Sequence, residues 1–330
     1  MRAAVARLAE LPGARHLGLV LKLGMSFALI ALVVRQIDAK AVVDCLARQS
    51  TIWIVATVLV SLLQIALLTL RWQQILRALG SESGLGSALA VTFMGCFFGA
   101  FLFGPTGSDV ARAVLAPTRS LGRRGIVHSV LFERLASVIG LGLAAAPLVA
   151  LDALPLSYRM PLIAALVIVV VSFVSVFGLA QVARGLFARV RALSSAWHEL
   201  ELSWRRLIRF WPRFAAAVVI AAAGQLLVAV EAWCLARSQH LGVPFVDFAI
   251  LMPTVMLLVA LPISAGGWGV REGAIVGALA LVGVETAPAL VLSVELGLIW
   301  TLVALPGGVI WLHRWFCAPR PPNAGTRGVA

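Results

Sequence analysis

Long apolar runs separated by short basic segments make up most of the chain. Six of these runs reach the length that a membrane-spanning helix needs, roughly 20 residues. They cover about 17–37, 52–76, 125–151, 160–182, 214–236 and 287–312. The sequence therefore predicts an all-α polytopic membrane protein with six full transmembrane helices, forming a single integral membrane domain over residues 1–330.

A further apolar stretch contains residues that interrupt helices. Residues 95–113 read GCFFGAFLFGPTGSDVARA. Proline lacks an N–H group and glycine frees the backbone, so a helix break is expected here. The predicted breaks are Gly104, Pro105 and Gly107. Ser108 would then cap a new helix beginning at Asp109. Peptide groups freed at membrane depth must face protein or a cavity, so we predict a re-entrant hairpin over about 85–111.

A second interrupted stretch lies near the C-terminus. Residues 259–278 read VALPISAGGWGVREGAIVGA, and we predict a second hairpin over about 248–283. The predicted breaks here are Pro262, Gly266, Gly267 and Gly269. Two broken hydrophobic segments in corresponding positions of two halves indicate the binding site of a transporter.

The distribution of arginines decides the topology. If residues 85–111 crossed the membrane, the basic residues of 112–124 and of 184–213 would both lie outside. That arrangement opposes the positive-inside tendency of membrane proteins. A re-entrant hairpin places both basic segments, the N-terminus and the C-terminus in the cytoplasm, with residues 17–37 as an uncleaved first helix.

With this topology the two halves repeat each other in opposite orientation. Each half, about 17–151 and about 160–312, has the order span, span, hairpin, span, which defines an inverted repeat. Gln64 precedes Trp72 by eight residues in one half, and Gln225 precedes Trp233 by eight in the other.

A cytoplasmic linker, residues 184–213, joins the two halves. Apolar residues recur in it at spacings of three and four among arginines, which is typical of a helix lying on the inner membrane surface. They are Trp197, Leu200, Trp204, Ile208 and Trp211.

Composition excludes a soluble domain, since 61% of the residues are hydrophobic, 12% are charged and the mean hydropathy is +1.00. The net charge is +13, and the basic residues lie between the apolar runs. We therefore expect these residues to bind anionic lipids at the cytoplasmic surface, and not nucleic acid. The four cysteines show neither C-x-x-C pairs nor metal-ligand spacing with the histidines, so we expect no disulfide, metal or cofactor.

Several ionisable residues fall inside the predicted spans, where a charge costs about 2.5 to 3.5 kcal/mol. They are Arg71, Glu133, Arg134, Glu231 and Glu295. Glu133 and Glu295 each lie eight residues into a span, which suggests equivalent positions that hold hairpin arginines. Because Arg134 directly follows Glu133, we expect Glu133 to meet Arg112 instead, and Glu231 to reach the outer interface. The set is either a structural ion-pair network or part of a substrate or coupling site.

The hairpins carry the chemistry expected of a phosphate site. Broken helices present unpaired N–H groups and positive dipole ends, which together with arginines suit a phosphate. The candidate substrate-binding residues are Ser108, Asp109, Arg112, Ser264, Arg271 and Glu272.

Three stretches, FFGAFLFGPTGSDVARA, LFERLASVIGL and LPISAGGWGVREGA, resemble the signatures of the lysylphosphatidylglycerol synthetase transmembrane-region family. The resemblance covers nearly the whole chain and implies a free-standing, flippase-like membrane protein. The matching residues are Asp109, Val110, Arg112, Glu133, Arg134, Gly266, Gly267, Gly269, Arg271 and Glu272. Ser108 departs from the family pattern, which has glycine before Asp109. About 18 residues follow Leu312, so we expect no synthetase domain.

The leading hypothesis is a flippase that moves a phospholipid or a phosphate-bearing lipid-linked precursor between leaflets of a bacterial inner membrane, and not an enzyme. A separate lipid-modifying enzyme is a possible partner; the sequence leaves the oligomeric state open. One alternative is an intramembrane lipid-phosphate transferase using Asp109 and Glu133, although the chain has no D-x-x-D pair of metal ligands. The other is an ion-coupled small-solute carrier, which the same repeat supports.

The topology is testable by accessibility of single cysteines introduced into a cysteine-free background. Residues 77–84, 113–124 and 184–213 should react only with reagents that reach the cytoplasmic side, because the positive-inside tendency places them there. Labelling of 113–124 from outside would disprove both the first hairpin and the inverted repeat.

Overall fold

The computed structural model describes residues 40, 45–118, 120–150, 191–259 and 269–317. All regular structure in these ranges is helical. In chain order the helices are α1 Thr51–Ala78, α2 Leu85–Phe98, α3 Gly104–Leu115, α4 Gly122–Ala150, α5 Arg191–Arg209, α6 Trp211–Ser238, α7 Phe245–Val259, α8 Val270–Ala280 and α9 Thr286–Cys317, with a π-helical turn at Gly99–Phe103 between α2 and α3.

Four predicted spans are confirmed as helices long and apolar enough to cross a membrane. They are α1, α4, α6 and α9, and their most apolar windows carry few charges. The predicted spans 17–37 and 160–182 lie outside the described residues. The all-helical class and a multi-pass membrane architecture are therefore established for the described part of the chain.

The antiparallel pair α1 and α6 forms the most extensive helix interface. At one end the backbone N–H of Ser50 donates to the carbonyl of Ser238 at 2.9 Å. Nearby, the rings of Trp53 and Trp233 meet edge to face, with centroids 5.5 Å apart. A buried small residue of α6, Gly224, faces Gln64 of α1 and lets the two helices approach, as is usual where membrane helices pack.

Both of these helices contain 28 residues and end in the same turn. Ser81 N–H donates to the Leu76 carbonyl at 2.9 Å, and Leu241 N–H donates to the Ala236 carbonyl at 2.9 Å. Each turn passes through a residue with positive φ, Gly80 at 96° and His240 at 60°, as in the Schellman motif. The two turns thus correspond at a shift of 160 residues.

That shift differs by one residue from the spacing of the sequence match. Gln64 and Gln225 are 161 residues apart, as are Trp72 and Trp233. The glutamine and tryptophan pairs are therefore one residue out of register with the two turns.

The first hairpin reverses earlier than predicted. A Cβ atom placed on Gly95 of α2 would lie 2.8 Å from Cγ of Arg112 on α3, so the two helices fold back on one another. The π-helical turn Gly99–Phe103 makes the reversal. Gly104 and Pro105 begin α3, where a proline's missing N–H costs nothing.

Two sequence-based predictions are therefore wrong here. Gly104, Pro105 and Gly107 do not break a helix, because they lie in the first turn of α3. Ser108 is inside α3 and does not cap a helix beginning at Asp109. The break lies immediately before Gly104, at the π-helical turn Gly99–Phe103.

In the second hairpin, Gly269 has a φ of 88° and precedes the first residue of α8. A positive φ favours glycine, and the predicted break at Gly269 is confirmed. The other predicted residues of this stretch lie outside the described residues: Pro262, Ser264, Gly266 and Gly267.

The helix predicted within the linker is confirmed as α5. It docks on the first turns of α4: Arg124 pairs with Glu199, and the His128 Nδ1 and Ser203 Oγ atoms lie 2.9 Å apart. Trp204 also packs against Phe132. The position of α5 at the membrane surface stays a prediction.

Helices α2 and α9 cross in close contact. A Cβ on Gly307 would lie 2.0 Å from the backbone oxygen of Phe93, and one on Gly308 would lie 2.7 Å from the Phe97 ring. Glycine is required at Gly307 because the backbone opposite it cannot move aside as a flexible side chain can.

We predict that Gly307→Ala destabilises the protein by about 1 to 3 kcal/mol, the usual cost of overpacking. Thermal unfolding of the purified variant in detergent measures this change, and a monodisperse elution profile in gel filtration serves as the check that the variant is folded. Gly277→Ala on α8 is the matched control, since nothing lies within 4 Å of its added Cβ, and alanine favours a helix by about 1 kcal/mol. Equal stability of the two variants would contradict the crossing.

Candidate functional site

A buried carboxylate joins three helices through arginines. Glu133 of α4 accepts from Arg71 of α1, with Nη2 at 2.7 Å and Nε at 3.2 Å from Oε1. Its other oxygen, Oε2, accepts from Nη1 of Arg112 on α3. The predicted contact between Glu133 and the hairpin residue Arg112 is confirmed.

A second carboxylate extends this arrangement. Oδ1 of Asp109 accepts from Nη2 of Arg112 at 2.7 Å, and Oδ2 accepts from Nε of Arg134 at 2.6 Å. Asp109 and Arg112 share a face of α3 because they are three residues apart. Arg71, Glu133, Arg112, Asp109 and Arg134 thus form one continuous series, which we call the charge chain.

The charge chain runs from the core towards the surface. Arg112 is 3% exposed and Glu133 is 2% exposed, whereas the side chain of Arg134 is 43% exposed. Three guanidinium groups and two carboxylates make up the charge chain. Nε of Arg112 is buried and has no hydrogen-bond partner among the described residues.

Packing around Arg112 fixes its position. Its guanidinium lies 5.5 Å from the centroid of the Trp72 ring, and Trp72 Nε1 donates to the Ser129 hydroxyl at 3.1 Å. Gly95 leaves space for its methylene stem. Ser108, a predicted substrate-binding residue, faces α2, with its hydroxyl 3.1 Å from the Cβ position of Gly95.

The second hairpin holds its arginine differently. Oε1 of Glu272 accepts from Arg271, with Nη2 at 2.6 Å and Nε at 3.0 Å. Oε2 of Glu272 accepts from the backbone N–H of Gly269 at the start of α8. The guanidinium of Arg271 rests on Gly297 of α9, where an added Cβ would lie 2.0 Å from Nη2. Arg271 and Glu272 therefore form one unit, and Ser264 lies outside the described residues.

Glu295 is bound by amides and not by an arginine. It accepts from the side-chain amides of Gln49 and Gln239, the latter at 3.2 Å, and does not hold Arg271. The expected contact of Glu295 with a hairpin arginine is therefore not made.

Glu231 does not reach the outer interface, as the sequence suggested, because it is fully buried in α6. Its Oε2 accepts from the indole N–H of Trp300 on α9 at 2.9 Å. Of the five intramembrane charges, the structure brings Arg71, Glu133 and Arg134 together, and it leaves Glu231 and Glu295 in separate environments.

The family model for the lysylphosphatidylglycerol synthase TM region matches residues 19–308. The chain belongs to this family. Comparison with curated proteins and with solved structures gives no match. The matched range includes the charge chain and both arginine-bearing hairpins, and the family is a membrane domain linked to lipid handling.

Sequence reasoning missed several residues that shape this family member's site. Gly95 and Gly297 give space to the two hairpin arginines, and Gln49, Gln239 and Trp300 bind the other two acids. Their types are common in membrane helices, so nothing in the sequence singled them out. The described ranges contain no group of three or more His, Cys, Asp or Glu residues placed to hold a metal.

We predict that Glu133→Gln lowers the free energy of unfolding by about 3 to 5 kcal/mol, because it leaves buried arginines without their counter-charge. Glu199→Gln is the matched control, since the Arg124–Glu199 pair is exposed and such pairs contribute less than about 1 kcal/mol. Denaturant unfolding of purified protein in lipid or detergent measures both. A Glu133→Gln loss no larger than the control's would show that the charge chain does not hold the three helices.

Proposed function

We propose that the protein is a flippase-like transporter that moves a phospholipid, or a phosphate-bearing lipid-linked precursor, between membrane leaflets. The observation that carries this proposal is the buried guanidinium of Arg112, whose Nε has no hydrogen-bond partner among the described residues although two carboxylates accept from its other nitrogens. A phosphate oxygen is an acceptor that could bind this group.

Arginine suits this role better than lysine does. Its planar fork matches two phosphate oxygens at once, and it is less strongly hydrated than an ammonium group. A headgroup that enters the membrane loses hydration and needs replacement donors. Arg134, the exposed member, would meet the phosphate first, and Arg112 would bind it deeper in the protein.

The carboxylates serve to hold the arginines between transport events. A phosphate that binds Arg112 replaces Asp109 or Glu133 as its acceptor, so no cation is left buried and unpaired. Each carboxylate accepts hydrogen bonds from two arginines, so both are engaged in ion pairs. This pairing argues against the lipid-phosphate transferase, in which Asp109 and Glu133 would act as catalytic groups.

We further propose that the two halves form an inverted repeat of six spans and two re-entrant hairpins. Support comes from the order of helix lengths: 28, 14, 12 and 29 residues in α1 to α4, and 28, 15, 11 and 32 in α6 to α9. Arg112 meets the twelfth residue of α4, and Arg271 rests on the twelfth residue of α9. Two such hairpins would offer an arginine to the lipid from each half.

The proposed location is a bacterial inner membrane with both termini in the cytoplasm. There the basic segments would meet anionic lipids, and an enzyme that makes or modifies the lipid would supply the substrate. We propose that the protein itself moves the lipid and catalyses no covalent change.

Transport in proteoliposomes tests the site. We predict that Arg112→Lys and Arg271→Lys each slow phospholipid translocation at least tenfold, about 1.4 kcal/mol, and that Arg271→Gln slows it more. Translocation is followed by chemical quenching of a labelled lipid in the outer leaflet, without nucleotide. Arg205→Lys is the control, because Arg205 is exposed on α5 and pairs only at the surface.

The outcomes separate the candidate functions. Normal translocation by both lysine variants, with normal expression and insertion, would show that the hairpin arginines are structural. A product formed from a lipid donor and acceptor, and lost in Asp109→Asn, would instead establish the transferase.

A further inference from the structure

Glu231 is a fully buried acid that the proposed lipid site does not use. It lies on α6 and faces α1 and α9, and its exposure is 0%. Trp300 Nε1 donates to Oε2, but Oε1 has no hydrogen-bond partner among the described residues. None of the ion pairs in the described ranges includes Glu231, whereas Glu133 is paired with two arginines.

The surroundings of Glu231 include a hydroxyl group but no ion-paired cation among the described residues. Ser61 of α1 faces the carboxylate. Phe248 and Met252 of α7 are apolar, and they belong to one hydrophobic cluster with Ala232, the residue that follows Glu231 on α6. Cys234, one turn further along α6, is the nearest titratable group on that helix.

Charged groups lie further off and have other partners. Arg237 of α6 stacks over the rings of Trp53 and Trp233. Glu295 of α9 is bound by two glutamine amides. Neither group compensates a charge on Glu231, which an ionised carboxylate in an apolar interface requires.

Four further buried oxygens in this three-helix region lack partners among the described residues. They are the hydroxyls of Ser61 and Ser293 and the amide oxygens of Gln64 and Gln225. Buried polar groups without a hydrogen-bond partner are rare in proteins and cost about 1 to 3 kcal/mol each. A proton on Glu231 would remove the uncompensated charge and turn an acceptor into a donor.

We propose that Glu231 binds and releases a proton during the transport cycle and so couples lipid movement to a proton gradient. The proposal rests on the proposed flippase function. In this conformation the acid is closed off from water, as a proton carrier must be at one stage of its cycle. The reaction is the reversible protonation of a carboxylate, and no other bond changes.

A proton fits this site better than a metal cation does. A metal ion needs several oxygen ligands at short distance, but one oxygen of Glu231 already accepts the Trp300 N–H. The positive end of that donor would repel a cation bound beside it. A proton needs only the vacant Oε1.

The position of Glu231 also relates it to the charge chain. Arg71 is the twenty-first residue of α1, and Glu231 is the twenty-first residue of α6. The same position in α1 and in α6, the two helices that form the extensive antiparallel interface, thus carries opposite charges. One half presents a cation that supports lipid binding, and the other presents an acid that can accept a proton.

Release of the proton requires water to reach Oε1. Since the indole N–H of Trp300 holds Oε2, a shift of α9 that moves the indole away would open the surroundings of the carboxylate. Ionised Glu231 would favour the hydrated arrangement, and protonated Glu231 would favour the closed one. The two protonation states therefore select two arrangements of α1, α6 and α9.

Infrared spectroscopy of the purified full-length protein tests proton binding without any transport assay. We expect a carbonyl band of a protonated carboxyl group at neutral pH that disappears at alkaline pH, shifts in D2O and is missing in Glu231→Gln. Glu285→Gln, an exposed acid in the loop before α9, should keep the band. Absence of a band that depends on Glu231, or a band unchanged at every pH, would overturn the proposal.

Translocation in proteoliposomes then tests coupling. For one proton per lipid, a gradient of one pH unit should change the lipid distribution about tenfold in the wild type. Glu231→Gln should lose this response while keeping movement down a lipid gradient, and Glu285→Gln should respond normally. A response to a sodium gradient but not to a pH gradient would overturn the proton assignment. If no lipid moves at all but the band still titrates, the flippase function fails while proton binding at Glu231 stands.

Discussion

The cost of placing charge in an apolar medium governs this structure. Removing an ion from water costs several kcal/mol even after relaxation, so each buried charge needs a defined partner. Glu133 meets this requirement by joining α1, α3 and α4 through two arginines. The position of the first hairpin against the long helices follows from that pairing, because Arg112 can be buried only where Glu133 receives it.

Glycine makes these pairings sterically possible. Gly95 leaves space for the stem of Arg112, and Gly297 leaves space for the head of Arg271. Without a hydrophobic force to press helices together in lipid, close contact depends on small residues. The same residue type therefore permits both the helix crossings and the placement of the two arginines.

Much of the fold could be predicted from the sequence because membrane spans follow from length and hydropathy. The four long helices and the helix of the linker appear where the pattern placed them, and the Arg112–Glu133 contact followed from the cost of a lone charge. The reversal before Gly104 could not be predicted, since a proline in a first helical turn looks the same in sequence as one that breaks a helix. The partners of Glu231 and Glu295 depend on helix register, and a one-residue error there changes which side chains meet.

The contact between α1 and α6 has a mechanical consequence. Gln64 and Gly224 are each the fourteenth residue of a 28-residue helix, and a Cβ on Gly224 would lie 3.6 Å from the Gln64 amide. The two helices therefore touch at their midpoints. A rotation about this point displaces the two ends of a helix by equal distances in opposite directions. If the gap between the ends of α1 and α6 widens at one membrane face, it then narrows at the other face. Neither helix has to shift along the membrane normal.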